Sequence, residues 1–127
     1  MSMFCYQCQE ASRGVGCTIA GVCGKSAEVA KLEDLLIYVT KGISHIVIRA
    51  KLDAAALPEL NHQMLNSLFM TITNANFNPD AIERQVVKMI KLRDSLGSAG
   101  LSDLHDAATF HVFGRAEMLA KAESVGV

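Results

Sequence analysis

An all-α fold is predicted for this chain: a cysteine-rich N-terminal loop packed on a three-helix bundle of the spectrin-repeat kind, with a further C-terminal helical segment. Three observations predict it. Apolar residues recur at three- and four-residue steps from position 26 onward, the period of one buried helix face. That period is interrupted at Ser26, Pro58, Asn78-Pro79-Asp80 and Gly97-Ser98-Ala99-Gly100, residue types that start or stop helices. The first 25 residues instead mix four glycines with four cysteines and show neither a helical nor an alternating period. The expected organisation is a loop over residues 1–25, a bundle over 26–97, and a linker and helical segment over 98–127 leading to a further domain.

Taken in order, the loop comes first and Ser26 caps the first helix. Helix one is expected over 26–54, with Leu32, Leu35, Leu36, Val39, Ile43, Ile46, Val47 and Ala50 as its apolar stripe. Gly42 is a weak point in it and Pro58 breaks the pattern. Helix two is expected from about Glu59 to Asn74, placing Leu60, Met64, Leu65, Leu68, Phe69 and Ile72 on one side, and Thr73-Asn74-Ala75-Asn76-Phe77 reads as a polar turn. The clearest start is the next one, where Asn78 offers a cap, Pro79 fits the first helical position and Asp80 favours the positive end of the helix dipole. Ile82, Val86, Met89 and Ile90 carry helix three towards Leu96, and Gly97 to Gly100 stop it. From Leu101 to Val127 a weaker pattern of Ala107, Phe110, Phe113, Ala116, Met118, Leu119 and Ala122 predicts the last helical segment. It closes abruptly on Ser124-Val125-Gly126-Val127, so the chain is expected to be a piece of a longer polypeptide.

At 127 residues the chain matches one ordinary domain, which buries roughly two-thirds of its unfolded surface and needs no metal merely to stay folded. Formal net charge is −1 with interspersed signs, which argues against nucleic-acid or polybasic membrane binding. Apolar runs such as Leu35-Leu36-Ile37-Tyr38-Val39 fall far short of the roughly 20 residues of a spanning helix. The start, Met1-Ser2-Met3-Phe4-Cys5, lacks a secretory pattern, and a reducing, cytoplasmic setting is expected.

In that setting Cys5, Cys8, Cys17 and Cys23 read as metal ligands. Four thiolates complete the ligand set of an iron–sulfur cluster or of a structural zinc. Zinc modules usually pair their cysteines on two short C-x2-C knuckles, and only Cys5 and Cys8 are that close. The spacing C-x2-C-x8-C-x5-C therefore favours iron–sulfur over zinc, with a disulfide framework third. It matches neither the two-cluster nor the plant-type ferredoxin pattern. A saturated 4Fe–4S cube leaves no iron open to substrate, so such a site carries electrons. The other reading is a zinc-tied helical module without redox activity.

The strings Met3-Phe4-Cys5-Tyr6-Gln7-Cys8-Gln9-Glu10, Gly16-Cys17-Thr18 and Gly21-Val22-Cys23-Gly24-Lys25 closely resemble the opening of the hybrid cluster proteins, also called prismane proteins or hydroxylamine reductases. Leu32-Glu33-Asp34-Leu35-Leu36, Lys41-Gly42-Ile43-Ser44 and Thr71 to Phe77 extend the resemblance along the whole chain. It implies a 4Fe–4S cluster on Cys5, Cys8, Cys17 and Cys23. It also implies a parent several times longer, whose hybrid iron–sulfur–oxygen cluster is held by later domains without counterparts here. Such a parent reduces hydroxylamine to ammonia and water with two electrons and two protons, nitric oxide reduction being the other activity of the family. This segment would be its electron inlet, fed by a redox protein and not itself catalytic.

Other residues have plainer readings. His45 reads as a core or partly exposed histidine, His62 as solvated, and His105 and His111, six apart, do not share a helical face. Met64, Met70, Met89 and Met118 read as core. Phe4 and Tyr6 either shield the cluster or dock the loop on the bundle. Lys25 and Arg13 either offset the charge of a four-thiolate cluster or are ordinary solvated cations.

Overall fold

The computed structural model describes residues 2–73 and 77–125. The polar turn expected at Asn74 to Asn76 lies outside the described residues, as do Gly126 and Val127. The described chain is all-α, with α1 at Ala27–Arg49, α2 at Pro58–Ile72, α3 at Pro79–Ser95 and α4 at Arg115–Val125. Single 3-10 turns lie at Ser12–Gly14, Ala54–Ala56 and Asp106–Ala108.

The central helix is α1, which packs against α2, α3, α4 and the Asp106–Ala108 turn. Lys25, just before α1, meets the carbonyl of Thr71 near the end of α2, so these helices run antiparallel. Gly42 of α1 and Arg93 of α3 both meet Ala107, so α3 returns parallel to α1. The core joins Leu32, Leu35, Leu36, Val39 and Ile43 of α1 to Ile82, Val86 and Met89 of α3, with Phe110, Met118 and Ala122 closing it. Each large aliphatic side chain so buried contributes about 2 kcal/mol of hydrophobic stabilisation.

Two expected helix starts are present. The Ser26 side chain accepts from Val29 N, and the Asn78 side chain accepts from Asp80 N and Ala81 N with Pro79 at the first turn.

Four features differ from expectation. Helix one was expected to reach residue 54, but α1 stops at Arg49. Lys51 takes the left-handed conformation (φ 54°), Lys51 N donates to Ile48 O and Leu52 N to Val47 O, a Schellman stop made by lysine where glycine is usual. Gly42 is no weak point either. A Cβ there would lie 1.9 Å from the Ala107 carbonyl oxygen, so the missing side chain is what lets the Asp106–Ala108 turn lie on α1.

Helix α2 has the expected period but is rotated about its axis, so that of the expected stripe Leu60 is buried and Met64 packs on the core while the rest turns outward. Its buried side is Leu60, Gln63, Ser67 and Thr71, while Leu65, Leu68, Phe69 and Ile72 are exposed. The inward polar side chains satisfy one another: Gln85 Nε2 of α3 donates to Gln63 Oε1 at 3.1 Å and to Ser67 Oγ at 2.9 Å.

In the tail, only Arg115–Val125 is α-helical. Residues 101–114 turn through positive φ at Asp103 and Gly114, and the carbonyls of Ser102, Ala107 and Phe110 are satisfied by arginines from outside. The fully buried Arg93 guanidinium donates to the carbonyls of Ala107 (3.2 Å) and Phe110 (2.6 Å), and Arg49 donates to Ser102 O at 2.7 Å. Arg115, at the start of α4, pairs with Glu28 of α1 and with Asp80 and Glu83 of α3.

Candidate metal centre

The N-terminal loop brings its cysteines together by backbone pairing before any metal is considered. Cys5 N donates to Cys17 O and Cys17 N to Cys5 O, both at 2.9 Å, an isolated antiparallel bridge that cross-ties two distant points of the loop. Between them the Ser12–Gly14 turn reverses the chain and aims Ser12 N at Cys17 Sγ, 3.4 Å away. A second tight turn comes next, in which Gly21 N donates to Lys25 O at 2.8 Å and Gly24 N to Gly21 O at 2.9 Å. A Cβ on Gly21 would lie 2.9 Å from Lys25 Cβ and 3.0 Å from Cys23 Sγ, so this turn closes only around glycine.

The result is one cavity of about 200 Å³ lined by all four cysteines. Cys17 is buried, Cys5 half-buried, and Cys8 and Cys23 exposed at the mouth. Val22 and Ile72 give the cavity an apolar rim, and Lys25 with Thr71 forms its inner wall. Backbone N–H groups of Ser12 and Val22 hold the Cys17 thiol below its ordinary pKa, favouring the thiolate that binds metal. Among the described residues no three His, Cys, Asp or Glu side chains converge on a single-ion position. All four cysteines line the same cavity, and thiolates are the donor type that iron–sulfur clusters and structural zinc both take.

Lys25 is the cation of this site. Its ammonium lies 3.6 Å from Cys5 Sγ, 3.4 Å from Thr71 O and 2.5 Å from Glu33 Oε2 of α1, at 3% exposure for Lys25 and 1% for Glu33. The carboxylate contact is too poorly directed to count as a hydrogen bond, and neither Glu33 oxygen accepts one among the described residues. Burial pulls the Lys25 pKa down, but Glu33, Cys5 and Cys23 outweigh it and the net shift is upward. Burial also pushes Glu33 up against the pull of Lys25. The two shifts oppose each other for the pair, and the 2.5 Å separation identifies it as an ammonium–carboxylate ion pair. Beside it, burial pushes the Asp34 carboxyl up to about 7.

Of the two cations flagged in the sequence, Lys25 faces the cysteines and is not solvated, whereas Arg13 is exposed. The Phe4 ring lies over Gly16 within the loop itself, and neither Phe4 nor Tyr6 lines the cavity. Sequence reasoning missed Glu33. The available signal was its spacing from Val29, Leu36 and Thr40, which puts a carboxylate on the buried side of α1.

The histidines have structural partners: His45 Nε2 accepts from His105 N, His105 Nδ1 accepts from Ala107 N, and His111 pairs with Asp94 at 2.8 Å. His62 is exposed. Met89 and Met118 are fully buried and Met64 and Met70 pack against the same core. No helix among the described residues is long and apolar enough to cross a membrane.

The profile of the Prismane/CO dehydrogenase family matches residues 3–125. The chain is 59% identical over its whole length to a hydroxylamine reductase of Acetivibrio thermocellus, of which it covers 24%. It is 43% identical to a hydroxylamine reductase of Desulfitobacterium hafniense and 42% identical to one of Clostridium perfringens, covering 24% and 25% of them. The chain thus spans about a quarter of the length of these relatives.

Proposed function

The chain belongs to the Prismane/CO dehydrogenase family, and from that premise we propose that Cys5, Cys8, Cys17 and Cys23 bind a 4Fe–4S cluster in the electron-transfer module of a longer hydroxylamine reductase. The observation that carries this reading is one cavity of about 200 Å³ lined by all four cysteines. A zinc ion at Zn–S distances of about 2.3 Å draws its four sulfurs to one point, whereas a cube spreads its thiolates around a filled volume. When bound, such a cluster supplies one-electron storage and transfer.

The protein's own residues have the supporting tasks. The Cys5–Cys17 bridge and the Gly21–Lys25 turn hold the ligands of both halves of the loop in register. Ser12 N and Lys25 donate towards sulfur, and Val22 and Ile72 limit water at the mouth. With every iron held by a thiolate the site binds no substrate. Conversion of hydroxylamine to ammonia and water, with two electrons and two protons, belongs to the hybrid cluster of the parent's further domains, and so does any reduction of nitric oxide. The exposed Leu65, Leu68, Phe69 and Ile72 stripe of α2 is the face those domains would cover. The electron donor is a cytoplasmic redox protein that approaches the cavity mouth.

Metal analysis of the four single Cys→Ala variants, purified without oxygen, tests this reading. Each is expected to lose most of its iron relative to the parent chain. Stoichiometric zinc in a colourless protein, with oxygen-driven cluster loss excluded, would overturn it in favour of a structural zinc module.

A further inference from the structure

We propose that Lys25 and Glu33 act as a charge pair that sets the reduction potential of the group held by the cysteines, Lys25 raising it and Glu33 restraining the rise. This rests on the cluster reading above. Both side chains are almost wholly removed from water, and a buried ion pair is seldom the cheapest way to fill space, because apolar residues of similar volume do so without desolvating two charges. The pair is also incompletely satisfied on the Glu33 side. Such an arrangement, placed against the inner wall of the cysteine cavity, points to an electrostatic task.

The geometry defines that task. The Gly21 N to Lys25 O hydrogen bond anchors Lys25 on one side, and the Ser26 cap of α1 anchors it on the other. Its ammonium donates to Cys5 Sγ and Thr71 O and pairs by charge with Glu33 Oε2. Each electron taken up adds one negative charge to a centre that already carries four thiolates. An ammonium 3.6 Å from one of those sulfurs stabilises the reduced form more than the oxidised form and so raises the potential. Glu33 does not line the cavity and stands behind the ammonium, where its charge opposes that of Lys25 at longer range. Because the pair is buried, salt screens these effects little. Lys25 and Glu33 are thus positioning residues, acting on the bound group through charge and without entering the ligand set.

Opposite signs are the signature. Lys25→Met, Lys25→Arg and Glu33→Gln in the full chain, loaded anaerobically with iron and sulfide, are to be titrated potentiometrically against mediator dyes and monitored by electron paramagnetic resonance. Lys25→Met is expected to shift the midpoint to lower potential, Glu33→Gln to higher potential, and Lys25→Arg to stay near the parent value. Shifts of the same sign in Lys25→Met and Glu33→Gln, or none in either, would overturn the proposal. Should Lys25→Met fail to hold iron, Glu33→Gln decides alone: a raised midpoint supports the pair and an unmoved one overturns it. A parent chain without iron overturns the cluster reading and this inference with it, whereas normal iron content with unmoved potentials overturns this inference only.

Discussion

Replacing Gly42 by alanine sets two effects of opposite sign against each other. In a solvent-facing helix interior the change would stabilise by about 1 kcal/mol, because alanine is the better helix former. Here the new Cβ would lie 1.9 Å from the Ala107 oxygen and 2.4 Å from its carbonyl carbon. The Asp106–Ala108 turn must retreat by about 1.5 Å to reach the 3.4 Å of an ordinary contact. That motion carries the Ala107 oxygen away from Arg93 Nη1, which donates to it at 3.2 Å. Losing a buried hydrogen bond to a charged group costs roughly 1.5–3 kcal/mol, and the overpacking itself costs about 1–3 kcal/mol. The balance is a destabilisation of about 1.5–5 kcal/mol. With an m-value of about 1.5 kcal/mol/M, the urea midpoint measured by far-ultraviolet circular dichroism should fall by about 1–3 M. An unchanged or raised midpoint would refute the close approach of the turn to α1.

Arg93→Met removes the donor that holds the Ala107 and Phe110 carbonyls inside the fold, leaving two buried acceptors unpaired. A loss of about 3 kcal/mol, or a fall of roughly 10 °C in Tm by calorimetry, is expected, and a change below about 3 °C would contradict the role assigned to it. Asp34 gives a pH prediction. Its folded pKa of about 7 lies above the unfolded carboxylate value, so between pH 4 and 7 the folded state binds more protons than the unfolded state. Stability from this group is therefore full near pH 4 and falls as pH rises towards 7. Asp34→Asn should match the parent near pH 4 and exceed it at pH 8 in denaturant titrations, and equal stability of the two proteins at pH 8 would contradict the burial of this carboxyl.

How far the sequence speaks for the structure differs from element to element. The Ser26 cap and the Asn78-Pro79-Asp80 start were legible because capping is local chemistry, complete within three residues. The stop of α1 was not, because Lys51 adopts a backbone conformation for which glycine is the usual signal. Orientation of α2 was misread for a different reason. Its apolar stripe is real, but the side turned inward carries Gln63 and Ser67, which accept hydrogen bonds from Gln85 of α3. Residues 101–114 were misjudged because a distant buried arginine satisfies their carbonyls, a long-range compensation that no periodicity reveals. At the site, the four cysteines stand out in the sequence, and their lining of one cavity depends on the Cys5–Cys17 bridge and the Gly21–Lys25 turn, which no spacing reveals. Burial of Lys25 with Glu33 depends on how α1 faces the loop, so it became visible only in three dimensions.

The most direct test of the central claim is the iron and acid-labile sulfide content of the anaerobically purified chain, read together with the electron paramagnetic resonance spectrum of the dithionite-reduced protein. About four irons and four sulfides per chain, with a paramagnetic signal that appears on reduction, are predicted. A chain with intact thiols and no iron, or with one zinc in its place, would contradict the account.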